Sequence, residues 1–218
     1  IGPVWGKEYT EQVLFRGIPK VMLVSATMLP KSLEMLGVSR VQMFYQDYKW
    51  QFPVEGGPII QIPTVKANYK NKDAAMELQL ERIDEIIGQR LDRKGIIHTT
   101  SYERARKVVE GSAYSVWMVT HTNARMEAQE AARQFREASA PCILVTPSMS
   151  TGYDFPMSDC EYQIIMKAPY PDYSSELIRL RAESDPQYGH YVMAQELAQA
   201  CGRGMRSHQD QCETFILD

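Results

Sequence analysis

The sequence predicts an α/β fold, a parallel sheet flanked by helices, and two observations carry that prediction. Short apolar runs rich in Ile and Val recur along the 218 residues, continuous rather than alternating, as strands covered on both faces read. Between them lie stretches whose apolar residues return every three or four positions, the spacing of one helical stripe. Alternation of the two patterns is the mark of a parallel sheet with crossover helices.

Taken in order, Lys20–Ser25 is the first candidate strand, with one helix beside it. Asp47–Asn71 breaks the pattern: Phe52-Pro53, Gly56-Gly57-Pro58 and Pro63 punctuate it, so it reads as a linker with one short strand at Ile59–Ile62. It separates a segment 1–47 from a main domain, 72–218. Segment 1–47 is too small to bury a core of its own, so it is expected to be the tail of a domain whose larger part lies elsewhere. A first residue Ile1 rather than Met fits a fragment. In Asp73–Arg93, Met76, Leu80, Ile83, Ile87 and Leu91 form one stripe, and Gly95 is expected to stop the helix. Further strands are expected at Ile96–Thr100, Ser115–Thr120, Cys142–Thr146, Gln163–Lys167 and Thr214–Leu217. From Asn123, a candidate N-cap, Ala124, Ala128, Ala131, Phe135 and Ala138 mark another helix. Asp185-Pro186 opens a third, expected to run through Tyr191 to Arg206.

Composition excludes several classes. Hydrophobic content of 44% and 23% charged residues are ordinary for a globular chain. No apolar stretch approaches the roughly 20 residues that span a bilayer, and there is no signal-peptide pattern. A soluble, intracellular protein is therefore expected, cytoplasmic or, in a eukaryote, nuclear, with no membrane partner. A net charge of −3 argues against a broad basic surface for nucleic acid, though not against a narrow track of backbone contacts. Cys142, Cys160, Cys201 and Cys212 are scattered without a C-x-x-C pair, so neither a disulfide framework nor a metal site is expected. His208 and Cys212 alone do not make a four-ligand zinc pattern.

The chemistry concentrates in Gln199-Ala-Cys-Gly202-Arg203-Gly-Met-Arg206. On a continuous helix Gln199, Gly202, Arg203 and Arg206 share one side. A glycine inside a helix costs about 1 kcal/mol relative to Ala, which suggests close approach by another group. Two guanidiniums a turn apart suit a polyphosphate. The competing reading is that these arginines only complement a helix C-terminus.

Together with three earlier blocks in matching order, Q-x-x-G-R-x-x-R resembles motif VI of superfamily 2 helicases. Ser25-Ala26-Thr27 resembles motif III, Gly95-Ile-Ile-His-Thr-Thr-Ser101-Tyr102 resembles motif IV, and Thr146 to Asp154 resembles motif V. Gly152-Tyr153-Asp154-Phe155-Pro156 followed by Pro169-Tyr170-Pro171-Asp172 is similar to the XPD/DinG branch. Asp210 and Asp218 also match that branch, but Cys212 stands where it usually has glycine.

The resemblance implies a RecA-like (P-loop NTPase-type) second helicase lobe, plus a remnant of the first. It implies that ATP and Mg²⁺ are bound mainly by a first, N-terminal lobe outside this sequence. Arg203 and Arg206 would be arginine fingers, worth about 10³–10⁵ in rate, with Gln199 positioning nucleotide or water. Gly152, Asp154 and Gly202 would line the nucleotide, and Ser25 and Thr27 would relay closure between lobes. Thr100, Ser101 and Ser148 are the candidates for contact with single-stranded or forked DNA, each also a candidate helix N-cap. Translocation 5′ to 3′ is implied by the family alone, and roles in repair and replication stay open.

No G-x-x-x-x-G-K-[ST] P-loop occurs, so this chain alone is expected to be inactive in ATP hydrolysis. Asp84-Glu85 lies within a helix and reads as solvated surface rather than a D-E-x-H box. Relatives often carry an iron–sulfur cluster in the first lobe; the cysteines here do not match its spacing, and none is expected in this chain. The alternatives are a non-enzymatic lobe that binds single-stranded nucleic acid or regulates a partner, and a transferase that uses Arg203 and Arg206 on a phosphorylated substrate.

Overall fold

The computed structural model describes residues 4–39, 41, 43–49, 53–64, 71–122, 125–147, 155, 157–205 and 207–218. The chain groups into two compact units, one of residues 1–50 and 169–198, the other of residues 51–168 and 199–218. Residues 169–198, counted with the main domain from sequence, thus group with the N-terminal segment.

Among the described residues the larger unit holds six strands: β1 (Ile59–Gln61), β2 (Lys94–His98), β3 (Met118–Thr120), β4 (Cys142–Thr146), β5 (Tyr162–Ile165) and β6 (Glu213–Ile216). They form one sheet in the order β1-β6-β5-β2-β4-β3, and every pairing is parallel. All strand C-termini therefore share one edge, where open α/β sheets present their ligand-binding loops. The central strands β2, β4 and β5 are buried at every position, which is why their sequences are continuous rather than alternating.

Each sheet face carries its own core. On one, Ile97, Ile143, Val145, Tyr162 and Ile164 pack with Met76, Ile83 and Ile87 of α3 (Lys72–Gly88) and Ala105 and Val108 of α4 (Tyr102–Gly111). On the other, Ile96, Leu144 and Cys142 pack with Ala131, Ala132 and Phe135 of α5 (Arg125–Glu137) and with Phe155 and Met205. Gly95 does not stop a helix. It is the second residue of β2, opposite Tyr162 on β5, and a Cβ there would fall 2.2 Å from the Tyr162 ring. α3 ends earlier, at Gly88, and leaves Leu91 outside it. Ser115–Thr120 divides into a 3-10 turn at Ser115–Trp117 and the short β3. Asp84 is not solvated surface: its carboxylate accepts from Ser112 Oγ at 2.5 Å and from the Ala113 amide at 3.0 Å, anchoring the turn after α4.

The smaller unit contains α1 (Lys7–Tyr9), a π turn at Thr10–Leu14, α2 (Pro30–Met35), α6 (Glu176–Ser184) and most of α7 (Tyr188–Cys201). Trp5 meets Tyr188 edge-to-face and donates to Ser184 Oγ, while Arg181 donates to the Val4 carbonyl. Lys31 pairs with Asp185 at 2.6 Å. The Asp185 carboxylate also accepts the Gln187 amide in a local turn; Asp185 is the C-cap of α6, and α7 begins only at Tyr188, so it does not take the N-cap position expected of it. Lys20–Ser25 is not a strand. A strand exists only through a ladder partner, and among the described residues none runs beside this segment, so Met22 and Val24 are 85% and 81% exposed. Among the described residues no helix is long and apolar enough to cross a membrane.

Candidate functional site

The β2 strand ends at His98 and passes into Thr99-Thr100-Ser101, at the shared C-terminal edge of the sheet. The loop is held on both sides of Thr100. Thr99 is fully buried, its amide donates to the Thr146 carbonyl at 3.1 Å, and its hydroxyl donates to the Ser101 carbonyl. Ser101 is the N-cap of α4, and its Oγ accepts the Arg104 amide at 3.2 Å. Between these clamps, exposed Thr100 takes φ = 65°, a left-handed conformation costly for a β-branched residue. Strain of this kind, about 1–3 kcal/mol, concentrates where backbone must present itself to a ligand. Ser101 thus caps α4, and Thr100 beside it is exposed to solvent.

The edge continues across β4 and β3. His121 Nδ1 donates to the Thr122 carbonyl at 2.6 Å, and Nε2 lies 2.8 Å from Thr146 Oγ1. Tyr102 packs edge-to-face on His121 at 5.8 Å. Thr146 opens the segment expected to hold Gly152, Asp154 and Ser148, and those three lie outside the described residues.

The candidate nucleotide end departs from expectation. α7 stops at Cys201, and Gly202–Gly204 is a 3-10 turn, so Gly202 and Arg203 do not continue the helix that carries Gln199. Two glycines in three residues end the helix because each is a poor helix former. Gly202 is therefore not a helix-interior glycine: among the described residues, a Cβ on it would meet nothing within 4 Å. The crowded position is Gly204, where a Cβ would lie 2.2 Å from Cys212 Sγ and 2.4 Å from Cys212 Cβ. Gln199 lies in the last turn of α7, Arg203 is described here by its backbone alone, and Arg206 lies outside the described residues.

Beneath that turn, fully buried Gln163 on β5 donates through Nε2 to the Cys201 carbonyl at 3.2 Å and to Thr214 Oγ1 at 2.8 Å. Its Oε1 lies 3.3 Å from His98 Nε2. Sequence reasoning missed Gln163, His98 and His121 as site-shaping residues. The signal was a polar side chain closing or interrupting an apolar strand run, as in Ile96-Ile97-His98 and Gln163-Ile164-Ile165.

The flanking acids hold backbone. Asp210 Oδ2 accepts the Ser207 amide at 2.6 Å and Asp218 Oδ2 accepts the Ala168 amide at 2.9 Å, which closes the turns around β6. Ser25 and Thr27 belong to the smaller unit, where Ser25 Oγ accepts the Thr27 amide at 3.2 Å in a local turn. Hydrogen bonding to Cys212 and burial push the Cys160 thiol well above its usual range, and burial pushes Cys201 up to about 11. These thiols stay protonated and serve as packing rather than as nucleophiles. Among the described residues no group of three or more His, Cys, Asp or Glu is arranged to hold a metal ion.

Residues 87–218, more than half the chain, match the family described as the helicase C-terminal domain. Among solved structures the chain is similar to an XPD helicase, at 18% identity and a TM-score of 0.69 over 96% of this chain and 41% of that one. It is also similar to Xpd4 of S. tokodaii, at 16% identity and a TM-score of 0.53 over 75% of this chain and 35% of that one. The chain thus spans less than half the length of either helicase. Sequence comparison with proteins of curated function gives no match. The chain belongs to the helicase C-terminal domain family and carries the RecA-like fold of an XPD-type helicase, as its motif resemblance implies.

Proposed function

We propose that this chain is the C-terminal half of an ATP-dependent DNA helicase, supplying arginine fingers and single-strand contacts to a two-lobe motor. The observation that carries the reading is the order of motifs IV to VI within the region matched by the helicase family. Supporting it, the motif IV loop and the turn after α7 belong to one compact unit, the one that holds the sheet. In this reading segment 1–47 is the end of the first RecA-like lobe, 48–71 the interlobe linker and 72–218 the second lobe. Exposed apolar residues Val21 to Val24 then find their ladder partners in the first lobe.

ATP and Mg²⁺ bind mainly on that first lobe, and the second lobe closes on them. Arg203 and Arg206 place positive charge on the transferring γ-phosphoryl, which needs electrostatic stabilisation more than covalent help. Gln199 positions nucleotide or water, and Gly202 lets backbone approach the phosphates because, among the described residues, no group fills the space beside it. Gly152 and Asp154 line the same cleft. Ser25 and Thr27 couple closure to the other lobe. Thr100, Ser101 and Ser148 contact the backbone of single-stranded or forked DNA through hydroxyls and amides, which suits a chain of net charge −3.

The test is Arg203→Ala in the full-length protein. A finger contributes about 10³–10⁵ in kcat, so ATP hydrolysis should fall by at least about 10³ while nucleotide still binds. Hydrolysis within a few-fold of wild type would remove Arg203 from that role. A protein that binds single-stranded DNA in a salt-dependent way but never hydrolyses ATP would instead be a binding or regulatory lobe.

A further inference from the structure

Gln163 is a buried amide with all of its geometry committed. The Cys201 carbonyl can only accept, so the amide nitrogen faces it, and the second N–H goes to Thr214 Oγ1. The Oε1 atom is therefore the one turned to His98, which must donate from Nε2. His98 is the last residue of β2, immediately before the Thr99–Ser101 loop, and its carbonyl accepts the Met166 amide at 3.1 Å. Cys201 is the last residue of α7, immediately before the Gly202–Gly204 turn that bears Arg203. Two hydrogen bonds thus join the end of one strand to the end of one helix.

An apolar residue at 163 would fill this space, but it would not fix the helix terminus against the strand terminus. Inside the sheet, at low dielectric, breaking either bond leaves a buried polar group unsatisfied, so a shift at one end is resisted or transmitted at the other. We infer that Gln163 is a positioning residue that couples nucleic-acid occupancy of the Thr99–Ser101 loop to the turn carrying Arg203. This rests on the proposed motor function, because it assigns those two segments to DNA and nucleotide.

The experiment uses the full-length protein, with ATP hydrolysis measured with and without saturating oligo-dT and thermal unfolding followed in parallel. Gln163→Leu is expected to keep DNA-free hydrolysis within about three-fold of wild type while the DNA-stimulated increment falls about ten-fold, a typical coupling loss. Thr214→Val removes one Gln163 bond but leaves the path from His98 to Cys201, and should keep the stimulation. A merely structural Gln163 would lower the unfolding temperature in both variants and leave the stimulation ratio unmoved, and that result overturns the inference. If Gln163→Leu does not accumulate, His98→Leu cuts the same path at its other end and is read by the same two outcomes. A wild-type protein that hydrolyses ATP without any response to DNA would overturn the motor reading itself. That result differs from a stimulated wild type whose variant stays stimulated.

Discussion

Adding one methyl group at Gly204 should destabilise the fold, and removing one side chain opposite should restore it. A Cβ at 204 falls 2.2 Å from Cys212 Sγ, 2.4 Å from Cys212 Cβ and 3.4 Å from the Cys160 carbonyl. The first two distances are far inside van der Waals contact. Cys212 cannot retreat: it is 2% exposed, its amide donates to the Gly56 carbonyl at 2.7 Å, and β6 begins at the next residue. Overpacking of this kind costs about 1–3 kcal/mol. At about 2–4 °C per kcal/mol for a chain of this size, Gly204→Ala should lower Tm by roughly 2–12 °C. Cys212→Gly installs the residue usual in the XPD/DinG branch and removes both clashing atoms, whereas Cys212→Ala leaves the Cβ. In urea titrations the pair Gly204→Ala and Cys212→Gly should therefore show a favourable interaction of about 1–3 kcal/mol, with the Cys212→Ala pair recovering only part of it. Simple additivity of the two changes, or a Gly204→Ala chain as stable as wild type, would refute the packing argument.

Two further perturbations separate stability from function. Glu213 accepts from Arg90 Nε at 2.7 Å, Arg90 Nη2 at 3.2 Å and Arg93 Nη1 at 2.9 Å, and the Arg90 hydrogen bonds foremost hold its carboxyl below the usual range. Because the folded-state value is depressed, the stabilisation is present at neutral pH and is lost as pH falls through that value. Glu213→Gln should lose about 1–3 kcal/mol at pH 7 and flatten the acid side of a stability-versus-pH curve; an unchanged acid limb would contradict this. Ser101→Ala should cost about 1 kcal/mol through the lost cap of α4 and weaken oligo-dT binding as well. Ser101→Asp should regain the cap yet bind worse than Ala, since it sets an anion toward phosphate; melting curves and fluorescence anisotropy read the two effects apart.

The sheet was legible because parallel strands covered on both faces leave continuous β-branched runs, and Cys142–Thr146 appears as β4 with the expected bounds. Lys20–Ser25 has the same composition but no neighbour to pair with among the described residues, and pairing is not written in a strand's own sequence. The helix expected to run to Arg206 ends at Cys201 for a local reason. The spacing of Gln199, Gly202, Arg203 and Arg206 suits a helix, but Gly202 and Gly204 oppose one, and the glycines prevail. Thr100 and Ser101 were legible as the polar end of a strand. The left-handed backbone at Thr100 was not, since only the clamps on Thr99 and Ser101 enforce it. Gln163 could not be read as a bridge before His98, Thr214 and Cys201 were seen around it, because its partners lie 38 to 65 positions away.

The central claim, that this chain closes a nucleotide-driven motor on single-stranded nucleic acid, is tested most directly by one affinity measured twice. The full-length protein is titrated with fluorescent oligo-dT at fixed salt, first without nucleotide and then with a non-hydrolysable ATP analogue and Mg²⁺. A motor lobe predicts that the analogue changes Kd by about 5–150-fold, the range of ordinary coupling between two sites. The same Kd in both titrations would contradict the claim and leave a nucleic-acid-binding lobe indifferent to nucleotide.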